Sequence, residues 1–310
     1  MKVLVGGRID PAGPQMLREA GHEVVLVDDV TTASLLPHLA TADAILLRTQ
    51  PFTATELAMA PKLKIVSRHG VGFDAVDVAA LNARRIPLAI VGDVNSRAVA
   101  EHTMALMLAT ARRVVAHDAS ARQGNWNERN KFDAQELDGK SLLVIGYGRI
   151  GRRVGELARA FGMTVSAYDP FIRDGSTVSD LLEALAKADV VTLHMPAAKG
   201  SVLGAKELAL MKPSAIIINA ARGGLVDEIA LDKALRARSI YAAGLDVLVE
   251  EPPKPDHPLL SNPHVTISPH NAGLTKECAR RMSMAAAKNI IDYFDGKLDL
   301  KLVVNAAAIQ

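Results

Sequence analysis

The stretch Ser141-Leu-Leu-Val-Ile-Gly-Tyr-Gly-Arg-Ile-Gly151 decides how this chain is read. The apolar run Leu142–Ile145 has the length and branching of a buried strand, and Gly146-x-Gly148-x-x-Gly151 follows at once, opening a segment with helical spacing. A second apolar run, Met163 to Tyr168, ends on Asp169, 18 residues past Gly151. Strand, glycine triplet, helix and acid in that order predict a dinucleotide site. One glycine allows the tight turn, one lets backbone approach the pyrophosphate, and one lets helix pack close to strand. The phosphates would sit at the helix N-terminus, where unpaired N–H groups and the dipole favour negative charge. Arg149 and Ile150, between the last two glycines, are counted with the cofactor-binding residues. A carboxylate at Asp169 can accept hydrogen bonds from both ribose hydroxyls of NAD and would repel the 2′-phosphate of NADP, so NAD is expected. The plainer reading of Asp169 is a solvated turn acid before Pro170, and Arg173 close by in sequence blurs the preference.

Composition narrows the class. A chain of 310 residues accommodates two ordinary domains, and 49% hydrophobic with 23% charged residues is the balance of a soluble globular protein. The net charge of +2, with basic residues scattered, gives no reason to expect nucleic acid. Cys278 stands alone, so no intrachain disulfide can form and a metal site is not expected. Charges interrupt every apolar run before it reaches membrane-spanning length. Met1-Lys-Val-Leu-Val-Gly6 enters directly as a strand rather than as a signal peptide, and a cytoplasmic location is expected.

Short β-branched runs alternate with helical segments from end to end, the pattern of α/β architecture with parallel sheets. The first group comprises Val3–Val5, Val24–Val27, Ala44–Leu47, Lys64–Val66 and Leu88–Ile90. A proline-free segment from Arg97 to Ala121 predicts one long helix. The pattern then restarts with Leu142–Ile145, Thr164–Tyr168, Val190–Leu193, Ala215–Ile218, Gly244–Val247 and Val265–Ile267, followed by a last helix over Thr275–Phe294. Two tandem α/β domains are expected, with ligand in the cleft between them. The cluster Glu250-Glu-Pro-Pro-Lys-Pro-Asp-His-Pro258 is a loop after the fifth strand of the second group. Ligands of open parallel sheets bind beyond the carboxyl ends of strands, so that loop is placed for function.

Three polar residues follow late strands of the second group: Arg222, Glu251 and His270. All belong at the carboxyl edge of the sheet, and their chemistry suits hydride transfer to or from a 2-hydroxy acid. An arginine can bind a carboxylate and polarise a 2-oxo group. A histidine can move the hydroxyl proton near neutrality, and a carboxylate beside it orients the ring and favours its protonated form. Singly, each has an ordinary alternative: a helix-entry charge, a solvated loop acid, a capping residue. Their recurrence at successive strand ends is what points to catalysis.

With these residues in view, the whole chain resembles the NAD-dependent D-2-hydroxyacid dehydrogenases, and among them the branch acting on 3-phosphoglycerate. The blocks carrying the likeness are Gly70-Val-Gly-Phe-Asp-Ala-Val-Asp77, Asn95-Ser-Arg-Ala-Val-Ala-Glu101, the glycine fingerprint, Asn219-Ala-Ala-Arg-Gly-Gly-Leu-Val-Asp227, Gly244-Leu-Asp-Val-Leu-Val-Glu-Glu-Pro252 and Ser268-Pro-His-Asn-Ala272. The resemblance implies two Rossmann/flavodoxin-like, doubly wound parallel-sheet α/β domains with an active-site cleft between them. Residues 1–96 with 283–310 would bind substrate and 97–282 would bind NAD. It implies Arg222, Glu251 and His270 as the catalytic trio, Glu251 being the acid directly before proline. Val71 and Gly72 would bind the substrate carboxylate through backbone N–H groups. Asp246 would meet the nicotinamide carboxamide, with Pro196 and Ala220 among the cofactor contacts.

The resemblance also bears on substrate. Arg48-Thr49 occupies the place of an Arg-Ser pair in the phosphoglycerate branch, and Asn95 matches a substrate-contacting position there. Arg48 could supply charge to a phosphate; otherwise it is an ordinary strand-end cation. His69 could instead serve an unphosphorylated substrate, which leaves a glyoxylate or hydroxypyruvate reductase as the alternative. A non-catalytic NAD sensor, needing no intact trio, is the reading of another class. His102 in the long helix reads as a packing or surface histidine. In relatives the stretch after Trp126, here carrying Arg129 and Lys131, can reach a neighbouring subunit, and a homodimer is implied. The sequence ends soon after Val303-Val-Asn-Ala306, so an appended regulatory domain is not expected.

Overall fold

The computed structural model describes residues 1–29, 31–172 and 175–309; Arg173 lies outside the described residues. The chain divides into two compact units, Met1–Asn95 joined by the chain from Leu274 onward, and Ser96–Gly273.

The first unit runs β1 (Lys2–Gly6), α1 (Ala12–Glu19), β2 (Glu23–Val27), α2 (Thr32–Leu39), β3 (Ala44–Leu47), α3 (Ala54–Ala58), β4 (Ile65–Arg68), α4 (Val78–Ala83) and β5 (Leu88–Ala89). The second runs α5 (Ser96–Ala111), α6 (Val114–Arg122), a 3-10 turn (Trp126–Lys131), β6 (Ser141–Ile145), α7 (Arg149–Ala160), β7 (Thr164–Tyr168), α8 (Leu181–Lys187), β8 (Val190–Leu193), α9 (Ala205–Leu210), β9 (Ile216–Asn219), α10 (Glu228–Arg236), β10 (Ala242–Leu245) and β11 (Val265–Ile267). The chain then returns to the first unit as α11 (Lys276–Phe294) and α12 (Ala306–Ile309).

The first sheet has the order β2-β1-β3-β4-β5 and the second β7-β6-β8-β9-β10-β11, with every paired strand parallel. Strands covered on both faces read as continuous apolar runs, and Ala44–Leu47, Val190–Leu193 and Ile216–Asn219 are buried at every position. Each buried isoleucine of β9 contributes about 2 kcal/mol over exposure, more than any strand propensity. Burial therefore fixes these strands.

Most elements fall within a residue or two of the sequence reading, and two depart from it in ways the packing explains. The expected strand Gly244–Val247 lies two residues earlier, as Ala242–Leu245. Its small residues serve the helix above: a Cβ on Gly244 would come 2.8 Å from both Ile218 Cδ1 and Thr110 Oγ1, so α5 rests on β10 only where side chains are missing. The expected long helix Arg97–Ala121 is broken into α5 and α6 by Arg113, whose φ of 51° is left-handed. Its guanidinium is held by Asp133 at 3.1 Å, so a tertiary ion pair offsets the break.

The last helix lies whole in the first unit; residue 283, expected as the return point, falls inside it. Thr275 caps it, accepting from the Cys278 N–H at 3.1 Å. Buried polar bonds then weld it to its own sheet: Ser67 Oγ donates to the Ala286 carbonyl at 2.9 Å and Asn289 Nδ2 to the Ile90 carbonyl at 3.0 Å. Gly13 of α1 packs so closely on α11 that a Cβ there would lie 2.5 Å from the Ser283 carbonyl oxygen.

Candidate active site

In the second sheet the strand order reverses about β6, with β7 on one side and β8 on the other. That is where an open parallel sheet leaves a crevice at its carboxyl edge. Gly146 follows β6 with φ 90°, and a Cβ on it would strike the His194 carbonyl oxygen at 2.6 Å. Gly151 meets the Gly146 carbonyl so closely that a Cβ would lie 2.2 Å from it, which brings α7 hard against the loop. A Cβ on Gly148 would meet nothing within 4 Å among the described residues, so this position opens onto the crevice. Gly148 is the N-cap of α7 and supplies no side-chain cap; the first turn holds no acid and begins with exposed Arg149. A bare, cation-flanked N-terminus of a 12-residue helix beside a glycine-lined space fits a pyrophosphate.

Asp169, at the end of β7, accepts from the Tyr147 N–H at 2.9 Å through Oδ2 and from the Phe171 N–H at 3.0 Å through Oδ1. It pins the glycine loop to the neighbouring strand, and each oxygen keeps a lone pair for a ribose hydroxyl. Ile150 and Ala220 pack together with Val99 and Ala272, forming a small apolar floor. Pro196 is exposed just beyond β8. His194, before it, is a group the sequence reading missed. Burial alone pushes its imidazole down to about 3, and Thr192 Oγ1 meets its Nε2 at 2.9 Å, while its buried Nδ1 has no hydrogen-bond partner among the described residues.

Strand register brings the trio to one edge. Asn219, Leu245 and Ile267 are level across β9, β10 and β11, so Arg222, Glu251 and His270 follow the same edge of the sheet. Of the two adjacent acids, Glu251 meets the histidine: its Oε2 lies 2.6 Å from His270 Nδ1, and its Oε1 accepts from the Leu248 N–H at 3.0 Å. Glu250 faces Lys254 instead, at 3.9 Å. The bond to Glu251 raises the His270 pKa, against burial, with the charges of Glu251 and Asp246 adding to the rise and Arg222 opposing it. Burial would raise Glu251, but the bonds from His270 and Leu248 hold it below the usual carboxylate range. Nδ1 thus faces the carboxylate, and Nε2 is the ring atom left for a reacting oxygen. Arg222 Nη1 donates to its neighbour's carbonyl, Ala221 O, at 2.6 Å, and Asn219 Nδ2 donates to the Arg222 carbonyl at 2.8 Å.

A second acid supports the loop from below. Glu228, at the start of α10, accepts from the Val249 N–H at 2.6 Å and meets His257 Nε2 at 3.0 Å, tying both ends of the proline loop to one carboxylate. Gly223 lets this happen, since a Cβ there would lie 2.1 Å from the Leu248 carbonyl oxygen.

The side chain of Asp246, the residue expected to meet the nicotinamide carboxamide, has 0% accessible surface. Its carboxylate faces inward and accepts from Ser268 Oγ at 2.6 Å and from the Asn271 and Ala272 N–H groups, each at 3.0 Å. Burial would raise its pKa, yet these donors together with His102 hold it below the ordinary range. His102, expected as a packing or surface residue, meets Ser268 Oγ at 2.8 Å through Nε2. His270 itself takes a left-handed φ of 50°, a conformation that costs about 1–3 kcal/mol in a residue other than glycine.

The expected substrate residues lie in the first unit. Arg48 and Thr49 follow β3, Val71 and Gly72 follow β4, and Asn95 closes the segment before α5. Arg68 braces two of these loops, donating from Nε to the Gly72 carbonyl at 2.9 Å and from Nη1 to the Arg48 carbonyl. Arg48 Nη1 donates to the Arg8 carbonyl at 3.0 Å. His69 is buried, and desolvation together with the Arg48 charge pushes its pKa down to about 4, so its ring is neutral.

Comparison with known proteins follows the same lines. Residues 104–272 match the D-isomer specific 2-hydroxyacid dehydrogenases over their NAD binding domain. The chain is 38% identical to the D-3-phosphoglycerate dehydrogenase of Archaeoglobus fulgidus over 319 aligned positions, which cover 100% of this chain and 60% of that protein. It is 39% identical to the glyoxylate reductase of Aeropyrum pernix, over 87% of this chain and 85% of that enzyme. The crystal structure of the TT0316 protein of Thermus thermophilus superposes with a TM-score of 0.91 at 34% identity, covering 98% of this chain and 100% of that one. The chain spans about three-fifths of the length of the phosphoglycerate dehydrogenases it matches first, at 60%, 58% and 56%.

Proposed function

The chain belongs to the D-isomer specific 2-hydroxyacid dehydrogenases, and we propose on that premise that it exchanges a hydride between NAD and a D-2-hydroxy acid, with 3-phosphoglycerate and its oxo acid as the substrate pair. The observation that carries the reading is the 2.6 Å pair of His270 and Glu251, on the sheet edge it shares with Arg222 and the glycine loop. Bound NAD would supply the hydride acceptor. His270 Nε2 takes the hydroxyl proton in oxidation and returns it in reduction; a positioned acid–base group of this kind is worth about two to four powers of ten in rate. Glu251 keeps the ring in the tautomer that frees Nε2 and stabilises its protonated form. Arg222 holds the carboxylate and the charge that develops on the 2-oxygen. Asp169 selects NAD, since a 2′-phosphate would be set against its carboxylate.

The substrate pair follows from the relatives first matched and from the first unit. Val71 and Gly72 offer backbone N–H groups to the substrate carboxylate, Thr49 and Asn95 offer polar side chains, and Arg48 offers a cation to the phosphate. The glyoxylate or hydroxypyruvate reductase reading is favoured by the Aeropyrum pernix relative, of which the match covers 85%, and by a neutral His69 next to the carboxylate loop. NADH oxidation measured against phosphohydroxypyruvate, hydroxypyruvate, glyoxylate and pyruvate separates the two. Preference for the phosphorylated acid, lost in Arg48→Ala, supports the first reading; equal rates with the small acids support the second. A homodimer is part of the proposal. Trp126 and Phe132 are 67% and 89% exposed beside a cavity of about 530 Å³, an apolar display suited to a second copy. A cytoplasmic setting suits the lone thiol of Cys278.

A further inference from the structure

We propose that His102 is a positioning residue for the acid–base turn: from α5 it clamps the buried carboxylate of Asp246, which in turn holds the backbone of His270, Asn271 and Ala272. The inference rests on the reading of His270 as the acid–base group.

Proton counting fixes the direction of the clamp. Ser268 has one hydroxyl proton, and it goes to Asp246 Oδ1 at 2.6 Å. The contact between His102 Nε2 and Ser268 Oγ, at 2.8 Å, is therefore a bond that His102 donates. The same Nε2 lies 3.3 Å from Asp246 Oδ1, so one N–H serves both the hydroxyl and the carboxylate. On its other side, the carboxylate accepts the Asn271 and Ala272 N–H groups, while the Asp246 carbonyl accepts the His270 N–H at 2.8 Å. The Ser268 hydroxyl and the His270, Asn271 and Ala272 N–H groups thus converge on Asp246.

Two features make this more than ordinary packing. His270 sits in left-handed backbone, a state that persists only where the surroundings over-determine it, and Asp246 supplies that constraint. The carboxylate has no accessible surface while the clamp is intact, so its bonds are all to protein donors, and each donor it loses loosens the remaining bonds. The base from which His102 reaches is rigid. Helix α5 buries one face, Val99, Thr103, Leu106 and Met107 among its residues, and rests on β9, β10 and β11. A side chain anchored there sets the height of the turn above the sheet, and with it the aim of the imidazole.

The test compares His102→Ala, His102→Gln and Ser268→Ala with the wild-type full chain, by steady-state kinetics and by amide hydrogen exchange at Asn271 and Ala272. A displaced acid–base group should lower kcat by about 10- to 100-fold in His102→Ala, with KM for NADH and oxo acid within about threefold. Exchange at the two amides should quicken by about tenfold or more as the turn opens locally. Glutamine, which keeps a donor, should restore most of both, and Ser268→Ala should show the same pattern to a lesser degree should His102→Ala fold poorly. Unchanged kcat and unchanged exchange in the folded variants would overturn the proposal. So would a loss carried by KM alone, or one that glutamine leaves uncorrected. If the wild type reduces none of the 2-oxo acids, the proposed function fails while exchange still judges His102: quickening upholds its role and unchanged exchange overturns it.

Discussion

Replacing Glu251 with glutamine removes a charge while leaving an amide oxygen that can still accept from His270 Nδ1. The size of the effect follows from the 2.6 Å contact and from side-chain exposures of 52% for His270 and 36% for Glu251. Charge centres about 4 Å apart at an effective dielectric near 20 would interact by about 4 kcal/mol, or roughly three pH units. Water reaches both partners, however, and exposed pairs retain only a fraction of that figure. A drop of about one pH unit in the His270 midpoint, about 1.4 kcal/mol, is the expected remainder. The sign is fixed because Glu251 is the first cause of the raised value in the wild type. On the proposed mechanism protonated His270 donates in reduction, so the alkaline fall in reductase rate should move about one unit toward acid, costing roughly tenfold on that limb. Oxidation needs the neutral ring, and its rise should move the same way. The assay is imidazole NMR of His270 against pH, read beside the pH–rate profile. A midpoint unmoved or raised in Glu251→Gln would refute the reasoning.

Three further outcomes are expected. Lys212 and the Ser141 N–H and hydroxyl hold Asp189 at about 2 against the opposing effect of burial. Asp189→Asn should therefore lose about 2 kcal/mol in urea unfolding above about pH 4, a difference that vanishes as pH falls through 2. Gly13→Ala should cost about 1–3 kcal/mol in thermal unfolding, because its Cβ would be driven into the Ser283 backbone of α11; an unchanged Tm would contradict that packing. Asp169→Asn keeps an acceptor for the Tyr147 N–H but removes the charge set against a 2′-phosphate. The ratio of kcat/KM for NADP over NAD should rise by about tenfold, and a constant ratio would remove Asp169 from cofactor selection.

What the sequence revealed was local in nature. The glycine loop and Asp169 are legible because their spacing is fixed by one strand–turn–helix unit, and the trio because each member follows a recognisable apolar run. The strand at Ala242–Leu245 was shifted because alanine and glycine carry no strand signal; their smallness answers to α5 above them. The break at Arg113 has no glycine or proline to announce it, and the ion pair that offsets it comes from an acid 20 residues further on. The supporting network was illegible for the same reason. His102 and Ser268 are 166 residues apart, and Glu228 and His257 are 29 apart, so no spacing rule joins them. The inward direction of the Asp246 carboxylate is equally unreadable from spacing: a carboxylate beside a histidine can face a ligand or the backbone, and only the fold sets which.

The central claim is that His270 moves the proton at a site built to bind NAD, and one comparison tests it most directly. NADH oxidation with phosphohydroxypyruvate would be measured for the wild type and His270→Ala, with NADH binding followed by fluorescence in both. The account predicts a rate lower by about two to four powers of ten in the variant, with NADH bound as tightly as before. Equal rates in the two proteins would contradict it.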